Sequence, residues 1–316
     1  MNLPDYFISC DWGTSNFRLK VVKTNPLNVL FEHKTNQGIK ILFEKFLQQK
    51  SINQQSFFAN YLKEQIQELP VEHQSHIIVA AGMSSSNIGL FELPYAEIPF
   101  IGNGENLIYE SKYLENGLHI LLISGVKTAT GMMRGEEIQA VGLESYISHY
   151  DEGILLLPGT HCKHISYKQG NFIALKNYMT GELFEVLSQK SILSNSVESG
   201  AWQSFSIKAF EEGLKIGFKG KITSSLLSIR ANHVFNLQNK TYNYFYLSGI
   251  LIGDELSYLK QHKEMIFLAA PEPIFKLYKT ALETIIPVKQ LLFFDSKILE
   301  DALLIGQRKI LQLYVK

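Results

Sequence analysis

Apolar and polar positions first organise around one carboxylate. A mostly apolar run, Tyr6 to Cys10, ends on Asp11, and the small polar residues Gly13-Thr14-Ser15-Asn16 follow. Phe17, Leu19 and Val21 then alternate with Arg18, Lys20 and Val22. Period two on both sides of a glycine-containing turn predicts a β-hairpin. Further on, residues 39–49 and 56–69 carry helical spacing, and His76 to Ala80 predicts a short buried strand. That strand runs into Ala81-Gly82-Met83-Ser84-Ser85-Ser86-Asn87, a run of small residues of the kind α/β folds use for ligand loops. Leu118 to Ile123 predicts another buried strand.

The second half repeats the theme. A helix is predicted over 134–150, opening Arg134-Gly135-Glu136-Glu137. Gly153 to Leu157 is an apolar strand, Pro158-Gly159-Thr160-His161-Cys162-Lys163 a turn, and His164 to Tyr167 a strand again. A strand–turn–strand unit recurring more than a hundred residues downstream predicts two lobes of related topology. Helices are predicted over 180–193, 208–237 and 244–260. A strand over 264–269, a helix to about 284, a strand over 288–294 and a helix over 298–313 complete the chain. Gly249 and Gly253, four apart, predict close helix packing more than a ligand contact.

Composition narrows the class. The 316 residues are 46% hydrophobic, with 30 Lys+Arg against 30 Asp+Glu. That balance speaks against a nucleic-acid or membrane-surface partner. Cys10 and Cys162 are too few for a disulfide framework or a cysteine-rich zinc site, and suit a reducing compartment. No basic leader precedes an apolar stretch and no apolar run approaches bilayer length, so a soluble, cytoplasmic protein is expected.

Two stretches carry candidate chemistry. The Gly13–Asn16 turn offers close backbone approach and short donors for phosphate oxygens, and Asp11 beside it could hold a hydrated Mg²⁺. An ordinary hairpin with a polar tip has the same pattern. Glu136 and Glu137 are candidates for acid–base work, although acidic residues also favour helix N-termini for their own sake. The histidines form no metal-ligand grouping.

Asp11-Trp-Gly-Thr-Ser-Asn-Phe-Arg18 resembles the first phosphate motif of the actin/hexokinase/Hsp70 ATPase superfamily. More narrowly, the chain resembles the 2-keto-3-deoxygalactonate kinase (2-dehydro-3-deoxygalactonokinase) family. The matching stretches are Ala81-Gly-Met83 with Ser86-Asn87-Ile-Gly89 and Pro94-Tyr95, Met133-Arg-Gly-Glu-Glu137, Leu157-Pro-Gly-Thr-His-Cys-Lys163, Met179-Thr-Gly-Glu-Leu183 and Leu247-Ser-Gly-Ile-Leu-Ile-Gly253. They occur in the family's order and cover nearly the whole chain.

The resemblance implies an α/β, two-lobed actin-like ATPase (ribonuclease H-like) fold, each lobe a mixed five-stranded sheet with helices. Residues 1–134 would form the N-terminal lobe, completed by the helix 298–316, and residues 135–297 the C-terminal lobe. ATP and Mg²⁺ are the implied cofactors. The implied reaction is phosphoryl transfer to the terminal hydroxyl of 2-dehydro-3-deoxy-D-galactonate, in galactonate catabolism. Gly13, Thr14, Ser15 and Asn16, with Gly159, Thr160 and His161, would hold phosphates; Lys163 or His161 would add positive charge. Ser86, Asn87 and Gly89 would bind sugar-acid oxygens, and Arg134, Arg18 or Lys163 would meet its carboxylate. Asp11 is the implied metal anchor.

Related sugar kinases place an Asp-x-x-Ala at the start of the helix before the second hairpin. Alignment on Glu137-Ile138-Gln139-Ala140 selects Glu137 as general base, with Glu136 the runner-up. The helix N-terminus and Arg134 are expected to hold that carboxylate ionised. Two positions depart from the family. Leu90 replaces a usual Trp, which implies a reshaped substrate wall. Ala269-Ala270-Pro271-Glu272 replaces Ala-Gly followed by Thr/Ser in the adenosine strand. Ala270 is expected to set a methyl against the nucleotide and Pro271 removes a donor, so relaxed base selection is expected. The implied partner is a small-molecule sugar acid, with no nucleic acid and no membrane, and a homodimer is compatible with the chain. Two alternatives stand beside this reading: a degenerate kinase-fold sensor of sugar acids, and a kinase for a different keto-deoxy acid.

Overall fold

The run Phe7–Cys10 is buried because it lies in mid-sheet with both faces covered. The structure is a computed structural model and describes residues 2–49 and 51–316. Ten strands occur before residue 134 among the described residues. They are β1 (Tyr6–Trp12), β2 (Phe17–Lys23), β3 (Asn28–Thr35), β4 (Ile78–Gly82), β5 (Ala96–Glu97), β6 (Phe100–Ile101), β7 (Tyr109–Tyr113), β8 (His119–Ile123), β9 (Val126–Lys127) and β10 (Met132–Met133). Five follow: β11 (Glu152–Leu157), β12 (Cys162–Lys168), β13 (Asn171–Tyr178), β14 (Met265–Ala269) and β15 (Leu291–Phe294). The helices are α1 (Ile39–Gln48), α2 (Gln54–Ile66), α3 (Glu136–Ile147), α4 (Thr180–Gln189), α5 (Ser204–Gly217), α6 (Ile222–Val234), α7 (Lys240–Leu256), α8 (Ile274–Glu283) and α9 (Ser296–Val315).

The first sheet is ordered β3-β2-β1-β4-β8-β7. Its β1/β4 and β4/β8 pairs are parallel, while β1/β2, β2/β3 and β7/β8 are antiparallel. The other large sheet is ordered β15-β14-β11-β12-β13-β6, with β11/β14 and β14/β15 parallel. The five-strand order 3-2-1-4-5 therefore occurs twice, which is the duplication of the actin-like ATPase (ribonuclease H-like) fold. Each sheet has a sixth strand beyond the five expected, β7 in one and β6 in the other. A small sheet, β10-β9-β5, carries the chain toward Arg134.

The chain divides into two compact units, Met1–Asp151 with Ser166–Leu175 and Ile298–Lys316, and Glu152–Ile165 with Lys176–Lys297. The boundary thus falls after α3, not before it as the sequence predicts. In the first unit α3 packs on α9 so closely that a methyl on Gly142 would strike the carbonyl of Ala302, and one on Gly306 that of Ile138. On the other face, Ile8, Cys10, Trp12, Phe17, Leu19 and Val21 share a core with Ile39, Leu42, Phe58, Leu62 and Ile66 from α1 and α2. Leu90 is buried in this same core, so it replaces the family's Trp as packing and not as an exposed wall.

In the second unit α5 and α7 touch backbone to backbone, Gly213 and Gly217 against Gly249 and Gly253. The predicted helix 208–237 is two helices, α5 and α6, broken around Gly220 at φ +65°. Ala270, expected to point at a nucleotide, has its methyl fully buried in this unit's core.

Candidate active site

At the end of β1 the chain turns through residues 13–16, with Asp11 opposite Arg18 across the hairpin. The N–H of Gly13 donates to Asn16 O at 2.9 Å. The carbonyls of Gly13, Thr14 and Ser15 accept from Ile39, Lys40 and Gly38 at 3.0, 3.1 and 3.1 Å, at the start of α1. The N–H groups of Thr14, Ser15 and Asn16 are left without an acceptor among the described residues. A turn whose carbonyls are tied back and whose N–H groups are spare can offer donors to an anion.

Asp11 is half-buried and its carboxylate makes no hydrogen bond or ion pair among the described residues. Desolvation pushes its pKa up; Arg18 and Lys20 oppose that, and the charges of Glu136 and Glu300 add to it. A partly desolvated, unpartnered carboxylate with a second carboxylate nearby suits a hard cation. No group of three or more His, Cys, Asp or Glu could hold a metal among the described residues. A cation here would therefore rest on Asp11, water and ligand oxygens. Arg18 lies 3.7 Å from Glu32, and buried Lys20 lies 3.0 Å from Glu300.

Three backbone segments meet behind Asp11. Gly82 closes β4 at φ +86°, where a Cβ would sit 2.8 Å from Trp12 O. Gly135 precedes α3 at φ +114°, and a Cβ there would lie 3.2 Å from Gly82 Cα. Only glycine takes these backbone angles readily, so both are needed to bring β1, the 82–89 loop and the head of α3 together. This meeting lies at the carboxyl ends of the parallel strands β1 and β4, where α/β sheets bind ligands.

In that loop, Ser86 is buried with its hydroxyl donating to Met83 O at 2.7 Å, and Asn87 is exposed. Gly89 sits inside the loop, its N–H on Ser86 O at 2.9 Å. Ser85 and Tyr95, not among the residues singled out from the sequence, hold Arg134. Nη1 of Arg134 donates to the Ser85 carbonyl and, at 2.6 Å, to its hydroxyl. Nε lies 3.3 Å from Tyr95 OH, and the guanidinium stacks 4.1 Å from the Tyr95 ring centre. Nη2 keeps its donors free of any partner among the described residues. The only sequence signal for Tyr95 is its place in a family-matching stretch.

The two glutamates part company. Glu137 is fully buried and accepts the Gly135 N–H on both carboxylate oxygens, at 2.9 and 2.8 Å. Burial, aided by the charge of Glu136, pushes its pKa up to about 8; the Gly135 and own-backbone N–H groups and Arg134 only partly oppose this. Burial thus works against the ionised form that the helix terminus and Arg134 are expected to favour. Glu136 is partly exposed, accepts the Arg134 N–H at 3.1 Å and acts electrostatically on Asp11.

The second unit's turn repeats the first. A methyl on Gly181 would strike Gly159 O, and Glu182 N donates to Thr160 O at 3.0 Å. The N–H groups of Gly159, Thr160 and His161 have no acceptor among the described residues. His161 pairs with Glu182 at 2.6 Å, and buried Lys163 donates to His161 O at 2.8 Å. Gly13 and Gly159 both have room for a methyl, the nearest atoms being 3.5 and 3.9 Å away. The chain itself therefore does not demand glycine there, which fits close approach by a ligand. No helix is long and apolar enough to cross a membrane among the described residues.

A family model described as 2-keto-3-deoxy-galactonokinase matches residues 11–305. The 2-dehydro-3-deoxygalactonokinase of Escherichia coli (strain K12) is 30% identical over 216 residues, covering 65% of this chain and 70% of that protein. A Rhizobium meliloti (strain 1021) protein provisionally named as the same enzyme is 25% identical over 296 residues, covering 90% and 91%. A crystal structure from Sinorhizobium meliloti, also provisionally named so, aligns with a TM-score of 0.77 at 23% identity, over 96% of this chain and 94% of that one. At that identity it speaks to the fold alone.

Proposed function

The chain belongs to the 2-keto-3-deoxy-galactonokinase family and is a sugar-acid kinase, and from that premise we propose that it transfers the γ-phosphoryl group of ATP to the terminal (6-) hydroxyl of 2-dehydro-3-deoxy-D-galactonate, in the cytoplasm. The observation that carries the reading is the twice-built turn: each has spare N–H groups, with three carbonyls of the first and the Thr160 carbonyl of the second accepting from a helix start. Phosphoryl transfer needs positioning and charge neutralisation more than covalent help. Spare backbone donors provide both without a conformational cost.

The first unit would hold the sugar acid. Arg134, stacked on Tyr95 and pinned by Ser85, presents a pre-oriented guanidinium edge to a carboxylate. Asn87, with the 86–89 backbone, would meet the sugar-acid oxygens. Asp11 would anchor Mg²⁺, which when bound neutralises phosphate charge. Of the two glutamates, Glu136 is the better general base: partly exposed, it can take the proton of the attacking hydroxyl. Glu137, buried and protonated near neutral pH, serves as the brace of Gly135. In the second unit, the Gly159–His161 turn would hold nucleotide phosphates. Lys163 supports that turn from beneath through His161 O.

A coupled ADP-release assay over a panel of keto-deoxy sugar acids tests this reading. ADP should form with 2-dehydro-3-deoxy-D-galactonate and Mg²⁺ present. Tight sugar-acid binding with no ADP would establish the sensor alternative, and faster turnover of another keto-deoxy acid would reassign the substrate.

A further inference from the structure

Behind the second turn lies a buried polar cluster that no role above uses. Glu255, near the end of α7, is 2% exposed. Its Oε1 is 2.8 Å from His164 Nε2, and its Oε2 accepts from Tyr278 OH at 2.7 Å and from Thr180 Oγ1. Cys162 Sγ lies 3.1 Å from Tyr278 OH and 3.6 Å from Gly159 O, with one thiol proton for the two. His164 Nδ1 lies 2.8 Å from Tyr258 OH.

A buried carboxylate is costly unless donors surround it, and here three side chains from β12, α4 and α8 converge on one. What they hold is specific. Thr180 opens α4, and the next residue, Gly181, packs against the carbonyl of Gly159 and lies 2.9 Å, measured from a Cβ built there, from Thr160 Cα. Cys162 leaves the turn on its other side, and burial, with the charge of Glu255, pushes its pKa up to about 12, so it stays a thiol that can donate to Tyr278 OH, itself the donor to Glu255. Both flanks of residues 159–161 are thus tied to one carboxylate, through Thr180 on one side and through Tyr278 and Cys162 on the other. Leucine or methionine would fill the same volume, but neither could accept hydrogen bonds from both flanks.

We propose that Glu255 is a positioning residue for the second phosphate turn: it sets the aim of the Gly159–His161 N–H groups at the polyphosphate of the nucleotide. The inference rests on the kinase reading above. Loss of the acceptor then costs affinity in proportion to the phosphates the turn holds. Binding of a sugar acid to the first unit is untouched.

The test is calorimetric titration of the full-length chain with ATP, ADP, AMP and 2-dehydro-3-deoxy-D-galactonate, Mg²⁺ present. The variants are Glu255→Gln, Thr180→Val, Tyr278→Phe and, as a control that bonds His164 and not the turn's flanks, Tyr258→Phe. Removing a hydrogen bond to a charged acceptor corresponds to roughly tenfold in affinity. Glu255→Gln and Thr180→Val are expected to lose about that for ATP, less for ADP, and nothing for AMP or the sugar acid. Tyr258→Phe should match wild type. Thr180→Val and Tyr278→Phe keep shape and carry the test if Glu255→Gln does not fold. Equal losses for AMP and ATP, or an unchanged ATP affinity, overturn the positioning role. Wild-type chain that binds AMP as tightly as ATP overturns the phosphate reading of the turn, and the role of Glu255 with it.

Discussion

Glu137 grips the backbone N–H of Gly135 with both carboxylate oxygens, and Gly135 is the residue whose φ of +114° lets the head of α3 lie against Gly82. The buried glutamate therefore shapes the site from inside, while Glu136 next to it meets solvent. Two adjacent carboxylates thus sit in different environments, one desolvated and one partly exposed.

That difference has a pH signature. With its pKa raised from the ordinary 4.5 to about 8, Glu137 stays protonated in the folded chain over a range where the unfolded chain has released the proton. Stability must fall as pH rises from about 4.5 to about 8 and level off above, by up to roughly 4–5 kcal/mol. Glu137→Gln, which keeps an acceptor for Gly135, should flatten this slope and melt higher than wild type at pH 8. Identical melting profiles for the two chains across pH 4.5–8 would refute the assignment.

Asp11 is desolvated and without a partner among the described residues, an arrangement that costs stability. Asp11→Asn should lower kcat by about 10²-fold or more if the carboxylate anchors the cation. Sugar-acid affinity should hold, and Tm at neutral pH should stay level or rise. Wild-type kcat would remove Asp11 from the mechanism.

Arg134 is held as a planar fork, so a lysine is a poor replacement. Arg134→Lys should raise KM for the sugar acid by roughly 10- to 100-fold, the worth of a charge-assisted bidentate contact. Tyr95→Phe, which keeps the stacking ring, should cost several-fold less. Nucleotide affinity should not change in either variant; an unchanged sugar-acid KM in Arg134→Lys would contradict the carboxylate role.

The methyl of Ala270 lies in the core, so it cannot crowd a nucleotide. Ala270→Gly should therefore destabilise the second unit by about 1–2 kcal/mol, from lost burial and added backbone freedom. The ratio of ATP to GTP turnover should stay as in wild type. A shifted ratio would restore the methyl to the nucleotide site.

Much of this was legible in the chain because period and punctuation are local. The first hairpin, the strand–turn–strand at residues 152–168 and the α7 glycines follow from spacing alone. Strands β3 and β7 escape because edge strands carry no buried face: Val29, Leu30 and Phe31 are all exposed, and β7 reads Tyr-Glu-Ser-Lys-Tyr. The unit boundary escapes because α3 joins the first unit by packing on α9, over 150 residues away in sequence. Glu136 and Glu137 share one motif, and only tertiary burial separates them. Glu255 gave no signal, since its donors come from residues 164, 180 and 278.

The most direct test of the site is turnover of Glu136→Gln and Glu137→Gln side by side, with ATP, Mg²⁺ and saturating 2-dehydro-3-deoxy-D-galactonate at pH 7. General-base help is worth about 10²–10⁴-fold. Glu136→Gln should lose that factor in kcat with sugar-acid affinity intact, and Glu137→Gln should stay within about tenfold of wild type, as a change of brace and not of base. Loss of turnover confined to Glu137→Gln would make the buried glutamate the base and contradict the account.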